Sequence, residues 1–198
     1  LEILKNLSIS DLSTEVVRGQ YTAGVVGGEK VKGYREEHPD LALSETETYA
    51  RVKALVNLPK WQGVEIVLIS GKRMQSKETS ITLHFKSQER VSGITSKNKL
   101  VFRIQPQEGI SLDLQVKRPG TNELDVVPML FKYEDNYKGL LPDAYESLLL
   151  NIFEGKKSSF ISTAELEASW KFIDPIVDYW REQDSNGLML YPSGSKEV

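Results

Sequence analysis

TETYARVKALVNLPKWQGVEIVLISGKRMQSK, residues 46–77, is the stretch around which the other predicted elements of this 198-residue chain are arranged. Residues 46–57 could form a helix by propensity, but small or branched apolar side chains alternate with longer ones from position 49 to 56, and this period of two favours a strand over residues 46–57. Residues 64–69 are mostly β-branched and apolar and lie between two glycines, which predicts a second strand. A loop that contains Lys72 and Lys77 follows. The stretch therefore predicts two neighbouring strands that end in a basic loop.

Further strands are predicted on both sides of this stretch. They are short, and the links between successive strands are short as well. Strands joined in this way pair mainly antiparallel, so we predict a large antiparallel sheet of six or more strands. The additional predicted strands are residues 16–21, 80–85, 100–104, 110–116 and 124–133.

Near the C-terminus the apolar period changes to that of a helix. Residues 142–153 have proline in the first turn, and a glycine follows them. A second helix is predicted at 163–181, with Ser162 or Thr163 as its cap and a kink at Pro175. Its expected apolar stripe is Leu166, Trp170, Ile173, Val177 and Trp180.

The remaining segments are polar or rich in turn residues. Residues 22–43 predict a long glycine-rich loop, and residues 186–198 predict an exposed tail. A series of strands followed by helices is typical of the α+β class. We therefore predict one domain, residues 1–198, with a large, mainly antiparallel sheet and helices packed on one face.

Composition excludes several classes of protein. The net charge of −3 gives no basic footprint, so we expect no nucleic acid partner. The chain has no cysteine, which excludes disulfides, thiolate zinc sites and cysteine nucleophiles. Apolar runs stay well short of the roughly 18 residues that a membrane span needs, and the N-terminus lacks a signal pattern. We expect a soluble, cytoplasmic protein with no membrane partner.

The first seven residues, LEILKNL, have apolar side chains near helical spacing and no initiating methionine. We interpret them as the last turns of a helix, and the chain as a fragment of a longer protein.

Lys72 and Lys77 are candidates for binding an anion. Gly71 permits a turn through which the two could converge, and two ammonium groups could bracket a phosphate. The alternative is a solvated hairpin with exposed lysines, which is the commoner case for lysine. From the residues alone both interpretations stay open.

Other candidate chemistry is weaker. His38 and His84 are isolated from motif partners, so they predict neither a catalytic base nor a metal site. Gly27 and Gly28 lack the spacing of a phosphate-binding loop. Gln105, at the end of a predicted strand, could aim its amide into a cleft or cap that strand.

Six separated segments carry a resemblance that extends over nearly the whole chain. They are VVRGQYTAG (16–24), GYREE (33–37), SETETYARVKALVNLPKWQGVEIVLISGKRM (44–74), LVFRIQPQEGI (100–110), LPDAYESLLLNIFEG (141–155) and an SW…ID.I…W pattern at 169–180. In this order they resemble the C-terminal half of the glucose-6-phosphate dehydrogenase family.

The resemblance implies an enzyme that oxidises glucose 6-phosphate at C1, the first step of the oxidative pentose phosphate pathway. Hydride passes to NADP, or in some members to NAD. In that family the domain is a large antiparallel sheet that follows a Rossmann half. The sheet carries the subunit interface, which implies a homodimer or a tetramer.

Three substrate-binding positions carry over from the family motifs. Lys72 matches the lysine of the GK motif, and Lys77 matches the basic residue five positions further on. Gln105 matches the glutamine of the R-x-Q-P motif. The resemblance implies that these three residues contact glucose 6-phosphate.

The family's catalytic histidine and coenzyme loop belong upstream of Leu1. The resemblance therefore implies that this chain contains no catalytic residue, no metal site and no main NADP site, and that it is inactive alone. Some members hold a second, structural NADP with basic and aromatic side chains. The matching positions here are Ile69, Glu78, Thr82, Ser111 and Arg103, of which only Arg103 is basic, so we expect that site to be absent.

A second hypothesis remains open. The chain could be a non-catalytic module, related to this domain, that dimerises or regulates a partner. An initiating methionine encoded close to Leu1 would favour the module, and a Gly-rich strand–turn–helix upstream would favour the enzyme.

Overall fold

The computed structural model describes residues 1–86, 88–89, 95–96, 98–137, 144–183, 187–196 and 198. The chain divides into two compact units. The first unit comprises Leu1–Ser76 and Lys156–Val198, and the second comprises Lys77–Gly155.

Strands outnumber helices along the described residues. The strands are β1 (Leu7–Ser8), β2 (Val16–Thr22), β3 (Gly24–Val26), β4 (Glu29–Val31), β5 (Tyr49–Val56), β6 (Glu65–Gly71), β7 (Thr79–His84), β8 (Gln88–Glu89), β9 (Thr95–Ser96), β10 (Lys99–Gln105), β11 (Gly109–Lys117), β12 (Leu124–Lys132) and β13 (Leu188–Pro192).

The helices are mostly short. They are α1 (Glu2–Lys5), α2 (Leu12–Glu15), α3 (Tyr34–Glu37), α4 (Tyr133–Asn136), α5 (Ala144–Phe153) and α6 (Thr163–Glu182), with 3₁₀ turns at Pro39–Leu41 and Pro59–Trp61. Within the described residues, no helix combines the length and the apolar character needed to cross a membrane.

The first unit contains a five-stranded sheet organised around β5. On one side β5 pairs with β1 and β2, and on the other side it pairs with β6, all antiparallel. The last strand, β13, pairs with β2 in parallel. The strands predicted at 46–57 and 64–69 are thus confirmed as neighbours, and the first of them is shorter than predicted, from Tyr49 to Val56.

Helix α6 covers one face of this sheet. Ile176 and Trp180 pack against Val16 of β2 and Val52 of β5, and all four side chains are buried. The helix begins at a capping box: Ser162 Oγ accepts from the Glu165 N–H at 3.3 Å, and Glu165 Oε2 accepts from the Ser162 N–H at 2.9 Å. Of the two predicted caps, Ser162 and Thr163, the structure has Ser162.

The second unit contains a four-stranded antiparallel sheet in the order β12-β11-β10-β7. The longest ladder joins β11 and β12 and runs from Gly109↔Lys132 to Lys117↔Leu124. Two further hairpins, β3–β4 and β8–β9, form small two-stranded sheets.

The predicted α+β class with mainly antiparallel pairing is confirmed. The prediction of one sheet of six or more strands is wrong, because the described strands form a five-stranded sheet in the first unit, a four-stranded sheet in the second and two small hairpin sheets. The exposed tail is also wrong in part: Leu188–Pro192 is a strand, and Tyr191 is buried. The predicted loop 22–43 contains the β3–β4 hairpin and α3. Pro142, predicted in the first turn of a helix, lies outside the described residues.

The apolar stripe of α6 follows the prediction only in its second half. Trp180 is buried, and Ile173 and Val177 are half-buried, but Leu166 and Trp170 are exposed. Ile176, which the predicted stripe omits, is the most deeply buried residue of the core cluster.

This difference gives a test of the core. Ile176 is 1% exposed, so Ile176→Ala should lower the free energy of unfolding by about 2–5 kcal/mol, because it leaves a cavity between helix and sheet. The measurement is urea denaturation of the chain. Leu166→Ala on the same helix is the control: Leu166 is 45% exposed, and a comparable loss there would contradict this description of the core.

Candidate functional site

A pocket of about 560 Å³ opens in the first unit where β5 begins and β6 ends. Its walls combine aromatic, hydroxyl and charged side chains from β2, β5, α3 and the segment after β6. The lining residues are Tyr21, Tyr34, Thr46, Glu47, Thr48, Tyr49, Ala50, Ser70, Lys72 and Arg73.

Buried tyrosines support this pocket from below. Tyr21, Tyr49 and Tyr191 form a cluster, with ring centroids 5.7 Å apart for Tyr49–Tyr191 and 6.4 Å apart for Tyr21–Tyr191. Tyr34 packs edge-on against Tyr21 at 5.6 Å. Edge-to-face pairs of this kind add about 0.5–1.5 kcal/mol each beyond burial. The pocket is therefore backed by a cluster of packed tyrosine rings.

Two glycines make room for this cluster. Gly19 and Gly71 lie on either side of Tyr49 in one row of the sheet. A Cβ at Gly19 would lie 3.2 Å from the Tyr191 ring, and a Cβ at Gly71 would lie 2.9 Å from the Tyr49 ring. The sequence suggested that Gly71 permits a turn. In the structure Gly71 is the last residue of β6, and the left-handed conformation falls to Arg73, with φ of 53°.

A charged triad lies beside the pocket. The Tyr21 hydroxyl donates to Glu37 Oε1 at 2.9 Å, and Arg73 Nη2 donates to the same oxygen at 3.1 Å. The Arg73 guanidinium also lies 5.9 Å from the centroid of the Tyr21 ring. The hydrogen bond from Tyr21, followed by that from Arg73, lowers the pKa of Glu37 below its ordinary value. Burial, together with Glu37, raises the pKa of Tyr21. Glu37 is thus a fixed anion that orients Arg73.

Lys72 is held at the rim of the pocket by its backbone. Its N–H donates to the carbonyl oxygen of Thr48 at 2.8 Å, which extends the pairing of β5 and β6 by one bond. Its side chain is exposed and lines the pocket. An ammonium group in this position can contact an anionic or hydroxylated ligand.

Lys77 and Gln105 belong to the second unit. Lys77 is exposed and precedes β7 by two residues, and Thr79, the first residue of β7, pairs with Gln105. The two predicted residues therefore lie at the same end of the β7–β10 pair. The ladder shifts register between Arg103 and Gln105, and an irregularity of this kind interrupts the alternation of side chains along β10. Lys72 belongs to the first unit, and substrate binding by all three residues stays a prediction.

The turn at Gly27 and Gly28 does not have the form of a dinucleotide-binding loop. Gly27 and Gly28 adopt positive φ angles of 60° and 87° in the turn between β3 and β4, and that turn leads into a strand rather than a helix. Arg103, the one basic residue at the positions of the second NADP site, donates to Ser111 Oγ at 3.1 Å. The absence of that second site stays a prediction.

Comparison with known proteins gives a consistent result. The family described as "Glucose-6-phosphate dehydrogenase, C-terminal domain" matches residues 1–198. Glucose-6-phosphate 1-dehydrogenase of Chlamydia pneumoniae is 37% identical over 98% of this chain and 40% of its own length. The enzyme of the same name from Aggregatibacter actinomycetemcomitans is 40% identical over 90% of this chain and 37% of its own length.

Solved structures agree with these sequences. The structure titled "Glucose-6-phosphate dehydrogenase in complex with its substrate glucose-6-phosphate" has a TM-score of 0.83 and 31% identity, and the match covers 100% of this chain and 41% of that one. The glucose-6-phosphate 1-dehydrogenase of Mycobacterium avium, at 24% identity over 98% of this chain and 39% of its own, has a TM-score of 0.76 and supports the fold.

The sheets and the pocket define an α+β protein with cationic side chains at the rim of an aromatic cleft. The match over the whole chain identifies its family. The chain belongs to the glucose-6-phosphate dehydrogenase C-terminal domain family. It spans about two fifths of the length of the curated relatives that it matches.

Sequence reasoning missed several residues of the site. Tyr21 and Glu37 lie within the family segments without a predicted role, and Tyr191 lies in the predicted exposed tail. A signal was present in LMLYP at 188–192, a short apolar run that ends in proline. Nothing in the local sequence indicated that Tyr21, Glu37 and Arg73 meet.

The triad should make stability depend on pH. Because the pKa of Glu37 is lowered in the folded chain, its contribution is fully present above its ordinary value of 4.5 and is lost as the pH falls through the lower folded value. Glu37→Gln should therefore lower the melting temperature at pH 7, and the difference from the unmodified chain should shrink below pH 4.5. Thermal denaturation across this range measures it.

Glu36→Gln is the control, since Glu36 lies next to Glu37 but caps α3 by accepting from the Gly33 N–H. A Glu37→Gln difference that stays constant with pH would contradict the role of the Glu37 charge.

Proposed function

We propose that this chain is the substrate-binding and dimerisation part of a glucose-6-phosphate 1-dehydrogenase. The enzyme oxidises glucose 6-phosphate to 6-phosphogluconolactone and passes the hydride to NADP. The observation that carries the proposal is the family match over residues 1–198, supported by a fold shared with a dehydrogenase solved with glucose 6-phosphate. We place the enzyme in the cytoplasm.

The chemistry is divided between this chain and the rest of the enzyme. NADP, when bound, accepts the hydride from C1, and no residue of this chain is proposed to hold it. No residue here is proposed as the catalytic base. What the chain supplies is orientation: contacts to the sugar phosphate, remote from the reacting bond, fix the position of C1.

Lys72, Lys77 and Gln105 are the residues proposed to make those contacts. Both lysines are exposed, and Lys72 lines the tyrosine pocket. Ammonium groups form charge-assisted hydrogen bonds with phosphate and hydroxyl oxygens, and an amide can donate or accept. Lys77 and Gln105 lie at one end of the same strand pair, which supports their action on a single ligand.

The sheet of the second unit supports the proposed dimer. Side chains paired across its four strands share a face, so two rows on one face are entirely apolar. Each of the eight side chains in these rows is at least partly exposed in the chain alone. The rows are Leu83, Leu100, Leu112 and Met129, and Ile81, Phe102, Ile110 and Phe131.

The opposite face of that sheet is different. Its rows contain Arg103, Asp113 and Lys132, and Ser111 at its centre is buried. An exposed apolar face of this extent indicates an interaction surface. A second copy of the chain is the partner that the family resemblance implies, in a dimer or in a tetramer built from dimers.

The substrate contacts are tested in the full-length enzyme. Lys77→Ala should raise KM for glucose 6-phosphate at least about tenfold, because a charge-assisted contact is lost. Steady-state kinetics measure it. Lys60→Ala is the matched control, since Lys60 is an exposed lysine in the 3₁₀ turn before β6. An unchanged KM for Lys77→Ala would remove Lys77 from the site.

The proposed dimer face is tested by two separate variants of β12, each of which adds one charge to a different face of the sheet. Met129 is 61% exposed on the apolar face, and Val126 is 59% exposed on the other. Met129→Glu should weaken dimerisation of the full-length enzyme at least about tenfold, because it buries an unpaired charge in the interface. Val126→Glu should leave dimerisation unchanged. Analytical ultracentrifugation separates these results, and equal effects would contradict the assigned face.

A further inference from the structure

The hydroxyl of Tyr191 is hydrogen-bonded to the backbone of Lys72, in the segment that follows β6. Tyr191 is 3% exposed, and its hydroxyl lies 2.8 Å from the Lys72 carbonyl oxygen and 3.2 Å from that of Thr48. Thr48 Oγ1 lies 3.0 Å from the same hydroxyl. Because the Lys72 N–H also donates to Thr48, both backbone polar groups of Lys72 are fixed.

The residues after Tyr191 continue the contact. The Gly194 N–H donates to the Arg73 carbonyl oxygen at 2.7 Å, and the Gln75 N–H donates to the Ser195 carbonyl oxygen at 2.9 Å. Gly194 has φ of 92°, and a Cβ there would lie 2.0 Å from the Val25 carbonyl oxygen. The backbone at this position therefore requires glycine. Residues 191–195 therefore hold the backbone of residues 72–75 in place by hydrogen bonds.

Tyr191 lies beneath the pocket and does not line it. A buried phenol at this position can influence a bound ligand only through the groups that it holds. The nearest such group is the backbone of Lys72, 119 residues away in sequence. A lysine has many rotamers, so fixing its Cα limits the volume that the ammonium group must search before it meets a ligand.

We infer that Tyr191 is a positioning residue for Lys72 and that its hydroxyl sets the affinity of the enzyme for the sugar phosphate. The inference rests on the proposed function, since it assumes that Lys72 contacts glucose 6-phosphate. The hydroxyl stays out of the reaction and fixes the loop from which the ammonium group extends.

The test is Tyr191→Phe in the full-length enzyme. The ring remains to pack against Tyr21 and Tyr49, and only the hydroxyl is lost. KM for glucose 6-phosphate should rise about threefold to tenfold, the range expected for one lost hydrogen bond, while kcat changes less. Partial unfolding would lower the maximal rate without raising KM. The matched control is Tyr179→Phe. Tyr179 is a half-buried residue of α6, and this change should leave KM unchanged.

A double-mutant cycle separates positioning from a general structural effect. On a Lys72→Ala background, Tyr191→Phe should change KM little further, because the group that it positions is gone. An unchanged KM in Tyr191→Phe, or a full additional increase on the Lys72→Ala background, would overturn the inference. If Lys72→Ala itself leaves KM unchanged, the proposed role of Lys72 fails instead, so the two failures are distinguishable.

Discussion

The antiparallel register of β5 is the constraint on which the first unit depends. It aligns Gly19, Tyr49 and Gly71 in one row and Val16 with Val52 in another. Because successive side chains point to opposite faces, the Val52 row packs against α6 and the Tyr49 row packs into the tyrosine cluster. A register slip of one residue would exchange these faces and destroy both cores. The same register brings Lys72 opposite Thr48, so the fold of the sheet and the position of the lysine have one cause.

The two units contribute different properties to the proposed enzyme. The first has two buried cores and a pocket, and two of the residues that line this pocket, Tyr21 and Arg73, donate hydrogen bonds to Glu37. The second has an apolar sheet face that is solvent-exposed in the chain alone, which is costly for an isolated protein. A surface of that kind becomes stable when it is covered, and a second copy of the chain would cover it. Assembly and substrate orientation are then served by separate parts of the chain.

The chemistry proposed for this chain is that of orientation. Lysine and glutamine side chains can hold a sugar phosphate, but they neither remove the C1 proton nor accept the hydride. Binding energy from remote groups lowers the barrier only if the groups are held in place before the ligand arrives. The buried tyrosines and the 191–195 segment supply that order here, because they fix the backbone from which Lys72 extends.

The α+β class, most strand positions and a helix cap at Ser162 or Thr163 could be predicted from the sequence, because alternation, helical spacing and capping are local properties that neighbouring residues encode. The separated family segments also indicated Lys72, Lys77 and Gln105. The fold in three dimensions was needed to show that the strands form two main sheets rather than one, that residues 188–192 are a strand, and that the Tyr191 hydroxyl contacts the backbone of Lys72. Such pairings join residues far apart in the chain, and their strength depends on burial and register, which local sequence does not specify. The same reason explains why the sequence did not indicate the triad: only the fold brings the Tyr21 hydroxyl and the Arg73 guanidinium to the same Glu37 oxygen, and Arg73 over the Tyr21 ring.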